Sequence, residues 1–157
     1  ASEGIAQIRQ GMAASELTGV SCYSSGNLRA LAKAQAQAGL LEDALLTLNQ
    51  AFDLVERTDE RHWEAELYRL RAQLLLKQNN EEDAVANLNK AIEIARRQKA
   101  KSWELRAAID LARLWNQQGK ANQARELLEQ IYGWFTEGFD TPDLIAARAL
   151  LEEISKT

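Results

Sequence analysis

The sequence predicts an all-α fold: about eight helices, arranged in pairs with a 40-residue period. Three observations carry this. Alanine, leucine, glutamate, glutamine and arginine, all good helix formers, dominate a chain with a single proline. No run of six residues alternates as a half-buried strand would. The sequence also repeats itself. Gly39, Asn79 and Gly119 lie 40 residues apart, preceded by Ala32, Ala72 and Ala112 and followed by Ala44, Ala84 and Ala124. Leu48, Leu88 and Leu128 form a further column, as do Ala51, Ala91 and Ile131. Residues 42–58 and 82–98 share seven of 17 positions. Such self-similarity marks a helical repeat array. Glycine and asparagine suit the left-handed residue just past a helix end, so 39, 79 and 119 read as hinges.

Residues 3–18 read as a second helix without its first. Gly4, Ile5, Ile8, Gly11 and Met12 precede Ala44, Leu45, Leu48, Ala51 and Phe52 by 40 residues. The expectation is a fragment that opens mid-repeat, a natural cap being the alternative. Ile5, Ile8 and Met12 would then be partly uncovered, a surface for self-association. Residues 20–58 form the first pair. Its opening segment, Ser21-Cys22-Tyr23-Ser24-Ser25-Gly26-Asn27, is poor helix material, which predicts a late or frayed start.

The second pair spans 60–99. Thr58 or Asp59 is the expected cap of its first helix, 60–78, and Asn80 that of 81–99. Glu81, Glu82 and Asp83 sit favourably on the positive end of the latter. Arg71 interrupts the column of Leu31 and Leu111, which predicts a slight rotation of helix 60–78. In the third pair, 101–138, Ser102 is the expected cap. Trp103 repeats Trp63, and both are expected to pack between repeats. Thr141 as N-cap and Pro142 in the first turn start a final helix, 142–155. It matches the repeat once one residue is dropped, with Ala147, Leu150, Leu151 and Ile154 beneath Ala108, Leu111, Ala112 and Trp115. It reads as a terminal cap.

Net charge is −4 and pI about 5.2, which argues against general nucleic-acid binding through phosphate neutralisation. Cys22 is the only cysteine and has no internal partner, which fits a reducing compartment. No signal peptide and no apolar run near the roughly 20 residues of a membrane span is present, so a soluble cytoplasmic protein without a membrane partner is expected. There is no GxxxxGK[ST] phosphate loop. His62 is the only histidine, sits in a capping turn and reads as solvent-exposed. No catalytic residue, cofactor or metal site is expected. Tyr132, Trp134, Phe135 and Phe139 could form a cofactor platform, but their spacing favours a plug between the last pair and the cap.

The small residue before each hinge, the glycine or asparagine at it and the alanines after it resemble the tetratricopeptide repeat (TPR). That resemblance implies a right-handed α-solenoid in which small positions let paired helices approach to about 8 Å. The usual period is about 34 residues. The longer period here, and the missing terminal proline, imply longer helices. The stretches 63–76, 91–115 and 131–144 further resemble the C-terminal repeat region of large bacterial signalling proteins. There a class III adenylate or guanylate cyclase, or a DNA-binding domain, is joined to an ATPase module and then a repeat tail.

The resemblance places the first helix of each pair on a concave groove. By register the groove columns are Arg29, Arg69 and Ile109; Lys33, Gln73 and Arg113; Ala36, Leu76 and Asn116; Gln37, Lys77 and Gln117; and Gly26, Glu66 and Arg106. Six cations and one anion on an acidic protein give two readings. One is a solvated face with Arg69 neutralised by Glu66. The other is a groove for an acidic or carboxylate-bearing protein segment, held by charge-assisted hydrogen bonds. The expected function is a non-enzymatic interaction and regulatory domain whose partners include other domains of its parent protein. The alternative is a helical domain that senses a small inducer for a signal-transduction ATPase or transcriptional activator.

Overall fold

The chain turns at nearly every twentieth residue. Asp59, Asn79 and Lys99 take φ of 55°, 59° and 57°, and Gly39, Gly119 and Gly138 take 80°, 76° and 74°. Four of these turns share one hydrogen-bond pattern. The amides of Leu40, Asn80, Ala100 and Lys120 donate to the carbonyls of Gln35, Leu75, Ala95 and Trp115. That six-to-one bond, wrapped around a left-handed residue, is the Schellman helix ending. The last interval is one residue shorter than the others, which is where the register drops a position before the final helix.

The structure, a computed structural model, describes residues 2–17 and 24–156, with the side chains of 2 and 15–17 excepted. Eight α-helices lie among the described residues: α1 Ser2–Leu17, α2 Ser25–Gln37, α3 Leu41–Thr58, α4 Glu64–Lys77, α5 Glu81–Arg97, α6 Lys101–Gln117, α7 Ala121–Tyr132 and α8 Pro142–Ile154. A 3-10 turn, Arg61–Trp63, precedes α4. Cys22 and the predicted helix start at 20–23 lie outside the described residues. The chain divides into two units, Ala1–Ala84 and Val85–Thr157, with the cut inside α5.

In the first unit α2 and α3 form an antiparallel pair. Ala32, Ala44 and Ala51 are fully buried along it. Side chains this small let the helices approach, while Leu28, Leu48 and Val55 fill the space between. α4 adds Leu67, Leu70 and Leu74 to this core. Each such leucine contributes about 1.5–3 kcal/mol of burial. α1 packs on α2. This corrects the expected self-association stripe: Ile5 and Met12 are buried in the same core and Ile8 is half-buried. Their apolar face is used within the chain.

Arg71 of α4 is half-buried between two partners. Its guanidinium lies 4.9 Å over the Phe52 ring and donates to Asn49 Oδ1 at 2.9 Å, so a half-buried cation fits an apolar column. Phe52 in turn meets Tyr68 edge-on, 4.8 Å between centroids.

In the second unit α8 packs on both α6 and α7. Leu144, Ala147, Leu150 and Ile154 are its buried residues, and Leu151 is half-buried. Ala108, Leu111, Ala112, Ala124 and Leu128 are fully buried.

The caps divide. Asn80 accepts from the Asp83 amide at 3.3 Å, as expected. Thr141 precedes Pro142 in extended conformation, but its hydroxyl donates to the Gly138 carbonyl and caps no helix amide. Ser102 does not cap α6: the turn at Lys99 lets the helix start after Ala100. Neither Thr58 nor Asp59 is an N-cap. Asp59 is the left-handed end of α3, and Glu60 opens the 3-10 turn.

Three glutamates, Glu64, Glu66 and Glu104, are buried, which was not expected from the sequence. Glu104 is 2% exposed and receives Arg96 Nε at 2.7 Å and Lys101 Nζ at 2.8 Å. Forty residues earlier, buried Glu64 receives Arg61 at 3.2 Å. The Arg61 pKa is raised, first by its hydrogen bond to Asp59 and then by the Glu64 carboxylate. The repeated Trp-Glu pairs at 63–64 and 103–104 are the sequence signal that marks these positions.

Candidate functional site

α2 and α4 are neighbours in the first unit and carry ten of the residues assigned to the groove. Arg29 lies over the Trp63 ring at 4.4 Å. The same indole rests on Gly26: a Cβ added there would fall on its nitrogen. Gly26 therefore leaves room for Trp63, which packs the 3-10 turn onto α2. Its helix-weakening effect is the cost of that contact. Lys33 is exposed.

On α4, Arg69 meets Glu66 through two bonds, 2.9 Å from Nε and 3.3 Å from Nη2. Glu66 is buried and Arg69 half-buried, so the guanidinium serves as the partner of a buried carboxylate. Gln73 is half-buried. Lys77 donates to the Ala36 carbonyl at 3.0 Å and ties α4 to α2.

In the second unit α6 carries the other five, Arg106, Ile109, Arg113, Asn116 and Gln117. Arg106 pairs with Asp143 of α8 at 2.7 Å. Asn116 donates to Glu153 of α8 at 3.3 Å. Arg113 is exposed, 3.9 Å from Asp110. Gln117 is exposed. Of the apolar residues in the predicted columns, Ala36 and Ile109 are buried.

Four of the six cations thus have close partners within their own unit. Two of these contacts, Arg69–Glu66 and Arg106–Asp143, are ion pairs under 3 Å. Lys33 and Arg113 keep exposed charge.

His62 is exposed, its ring edge-on to Trp63. The predicted aromatic plug is only partly assembled. Tyr132 and Phe139 rings lie 5.8 Å apart and Phe135 is half-buried. Trp134 is 66% exposed, with Lys101 Nζ 4.1 Å over its ring. It leaves the plug because α7 ends at Tyr132 and the turn through Gly133 carries it outward. Among the described residues no group of three or more His, Cys, Asp or Glu could hold a metal ion. Nor is any described helix long and apolar enough to cross a membrane.

The tetratricopeptide repeat family model matches residues 24–97. No curated protein matches the chain. Two solved structures of nearly identical TPR-like repeats, from a Podosopora anserina protein described as a kinesin light chain, share 19% and 18% identity with it. Both alignments cover 99% of this chain and 77% of theirs, with TM-scores of 0.69 and 0.68. The fold is a TPR-like helical repeat, similar to those repeats. It is all-helical, with about eight TPR-like helices packed in antiparallel pairs.

Proposed function

We propose that the chain is one repeat domain that binds an acidic protein segment and regulates a larger signalling protein. On this proposal 3–18 is a lone second helix, 20–58, 60–99 and 101–138 are pairs, and 142–155 is a cap. The observation that carries the binding reading is the exposed charge of Lys33 on α2 and Arg113 on α6, the first helices of two of these pairs. Exposed polar neighbours, Gln37 beside Lys33 and Gln117 beside Arg113, add donors without adding charge. The contacts of Arg29, Arg69 and Lys77 in the first unit, and of Arg106 in the second, make them internal supports of their own units rather than independent ligands. The resemblance of 63–76, 91–115 and 131–144 to bacterial cyclase and activator tails supports a regulatory parent of that kind. The unpaired Cys22 supports a reducing, cytoplasmic setting.

The test uses a fluorescein-labelled peptide of alternating glutamate and leucine. Its affinity should fall between about 50 and 500 mM salt, as the Debye length shrinks from roughly 14 to 4 Å. Lys33→Glu with Arg113→Glu should weaken binding more than Arg57→Glu with Arg97→Glu, a control of equal net charge on exposed residues of α3 and α5. Equal affinities for the two double variants would remove the basis of this proposal.

A further inference from the structure

We propose that the cleft lined by α1, α2 and α3 in the first unit binds a small zwitterion with an apolar arm, the size of a free amino acid. The cleft measures about 350 Å³, toward the low end for small-ligand sites. Met12, Leu28 and Leu31 give it an apolar lining. The unusual member is Gln35. It is 1% exposed, and its Oε1 accepts no hydrogen bond from any protein group. A buried acceptor left unpaired is unfavourable.

The fold does not require a polar group there. Leu75 and Trp115 hold the same register 40 and 80 residues on. Gln35 is thus an exception to the repeat, and a ligand N–H placed on its Oε1 would offset the unpaired acceptor. Arg9 of α1 and Asp43 of α3 also line the cleft, and both are exposed. One cation and one anion around an apolar floor match the two ends of a zwitterion. The ammonium group goes to Asp43 and Gln35, the carboxylate to Arg9, and the side chain to the leucines. Leu46, 63% exposed on the same cleft, gives the apolar arm a further surface to cover. This site shares none of the charged residues proposed for segment binding, and it stands or falls independently.

The experiment follows the Gln35 side-chain amide of the full chain by two-dimensional NMR. L-Leucine, L-isoleucine, L-methionine and L-phenylalanine are titrated in turn, with N-acetyl-L-leucine and L-leucinamide as single-charge controls. At least one amino acid should shift that resonance saturably, and the controls should bind leucine's site about tenfold or more weakly, since each loses a charge-assisted bond. Asp43→Asn, at an exposed position in the first turn of α3, should weaken amino-acid binding while lowering melting by no more than about 4 °C. Gln35→Leu should abolish binding and raise the melting temperature of the ligand-free protein, because the orphaned acceptor is gone. No saturable shift with any of the four amino acids overturns the proposal. So does binding unaffected by loss of either ligand charge, or by Asp43→Asn.

Discussion

Lys99 is the place where one substitution tests the hinge argument. It is the only lysine or arginine among the described left-handed residues, and it ends α5 with φ of 57°. An L-residue with a Cβ pays about 1–2 kcal/mol for that conformation. Lys99→Gly removes this strain, while the freer unfolded chain takes back about 0.4–1 kcal/mol. The net expectation is a gain of roughly 0.5–1 kcal/mol, or about 1–4 °C in melting temperature for a chain of this size. Gly119→Ala is the reverse experiment. A Cβ at Gly119 would meet nothing within 4 Å, so the loss is backbone strain alone and should be about 1 kcal/mol. Ala86→Gly, on the exposed face of α5, controls for glycine itself and should cost about 1 kcal/mol. Urea and thermal unfolding by circular dichroism give all three values. The same replacement by glycine must therefore stabilise at 99 and destabilise at 86. If Lys99→Gly and Ala86→Gly both destabilise, the strain at position 99 is not what separates these sites.

Gly26→Ala should destabilise by about 1–3 kcal/mol despite alanine's better helix propensity, because the new methyl meets the Trp63 indole. Pairing it with Trp63→Leu should recover part of the loss in a thermal double-mutant cycle. Glu104→Gln should cost about 1–2 kcal/mol, since two charge-assisted bonds weaken but both cations keep partial access to water. Urea unfolding at low and high salt checks this, and a variant as stable as the parent would show that Arg96 and Lys101 do not hold Glu104. Arg69→Ala should destabilise more than Arg113→Ala, because only the former leaves a buried carboxylate, Glu66, without its partner. Thermal unfolding of the two single variants compares them directly.

The helix array was legible because period and chain geometry coincide. Gly39, Asn79 and Gly119 are residue types that tolerate a left-handed turn, so their spacing announced three of the turns. Asp59 and Lys99 occupy the intermediate turns, and lysine carries no such signal. The polar pair Thr58-Asp59 marked the first of these as a joint between helices, whereas Lys99 could have come only from halving the period. The apolar faces of α2 to α8 followed from the alanine and leucine columns. The direction of the α1 stripe did not, since nothing in the sequence says that Ile5 and Met12 turn onto α2. Trp134 was misplaced for a related reason. Helical spacing was extended past Tyr132, where the chain had already left the helix.

Charge was the least legible property, and the reason is physical. A count of cations along one register assumes that each acts on solvent. In the first unit Arg69 lies against Glu66 and Arg61 against Glu64, both carboxylates buried. In the second unit Arg96 and Lys101 converge on Glu104, and Arg106 is held by Asp143. A buried carboxylate without its cation is strongly unfavourable, so Arg61, Arg69, Arg96 and Lys101 are bound to positions inside their own unit. Their charge is largely neutralised at contact distance and contributes little beyond a Debye length of about 8 Å. What remains for an incoming acidic segment is Lys33 and Arg113, each exposed on its own unit. Two point charges in water attract weakly at 4 Å, about 1 kcal/mol each. On the proposal above, an acidic segment would therefore need polar and apolar contacts beside these two charges, which add a salt-sensitive part of its affinity and steer its approach.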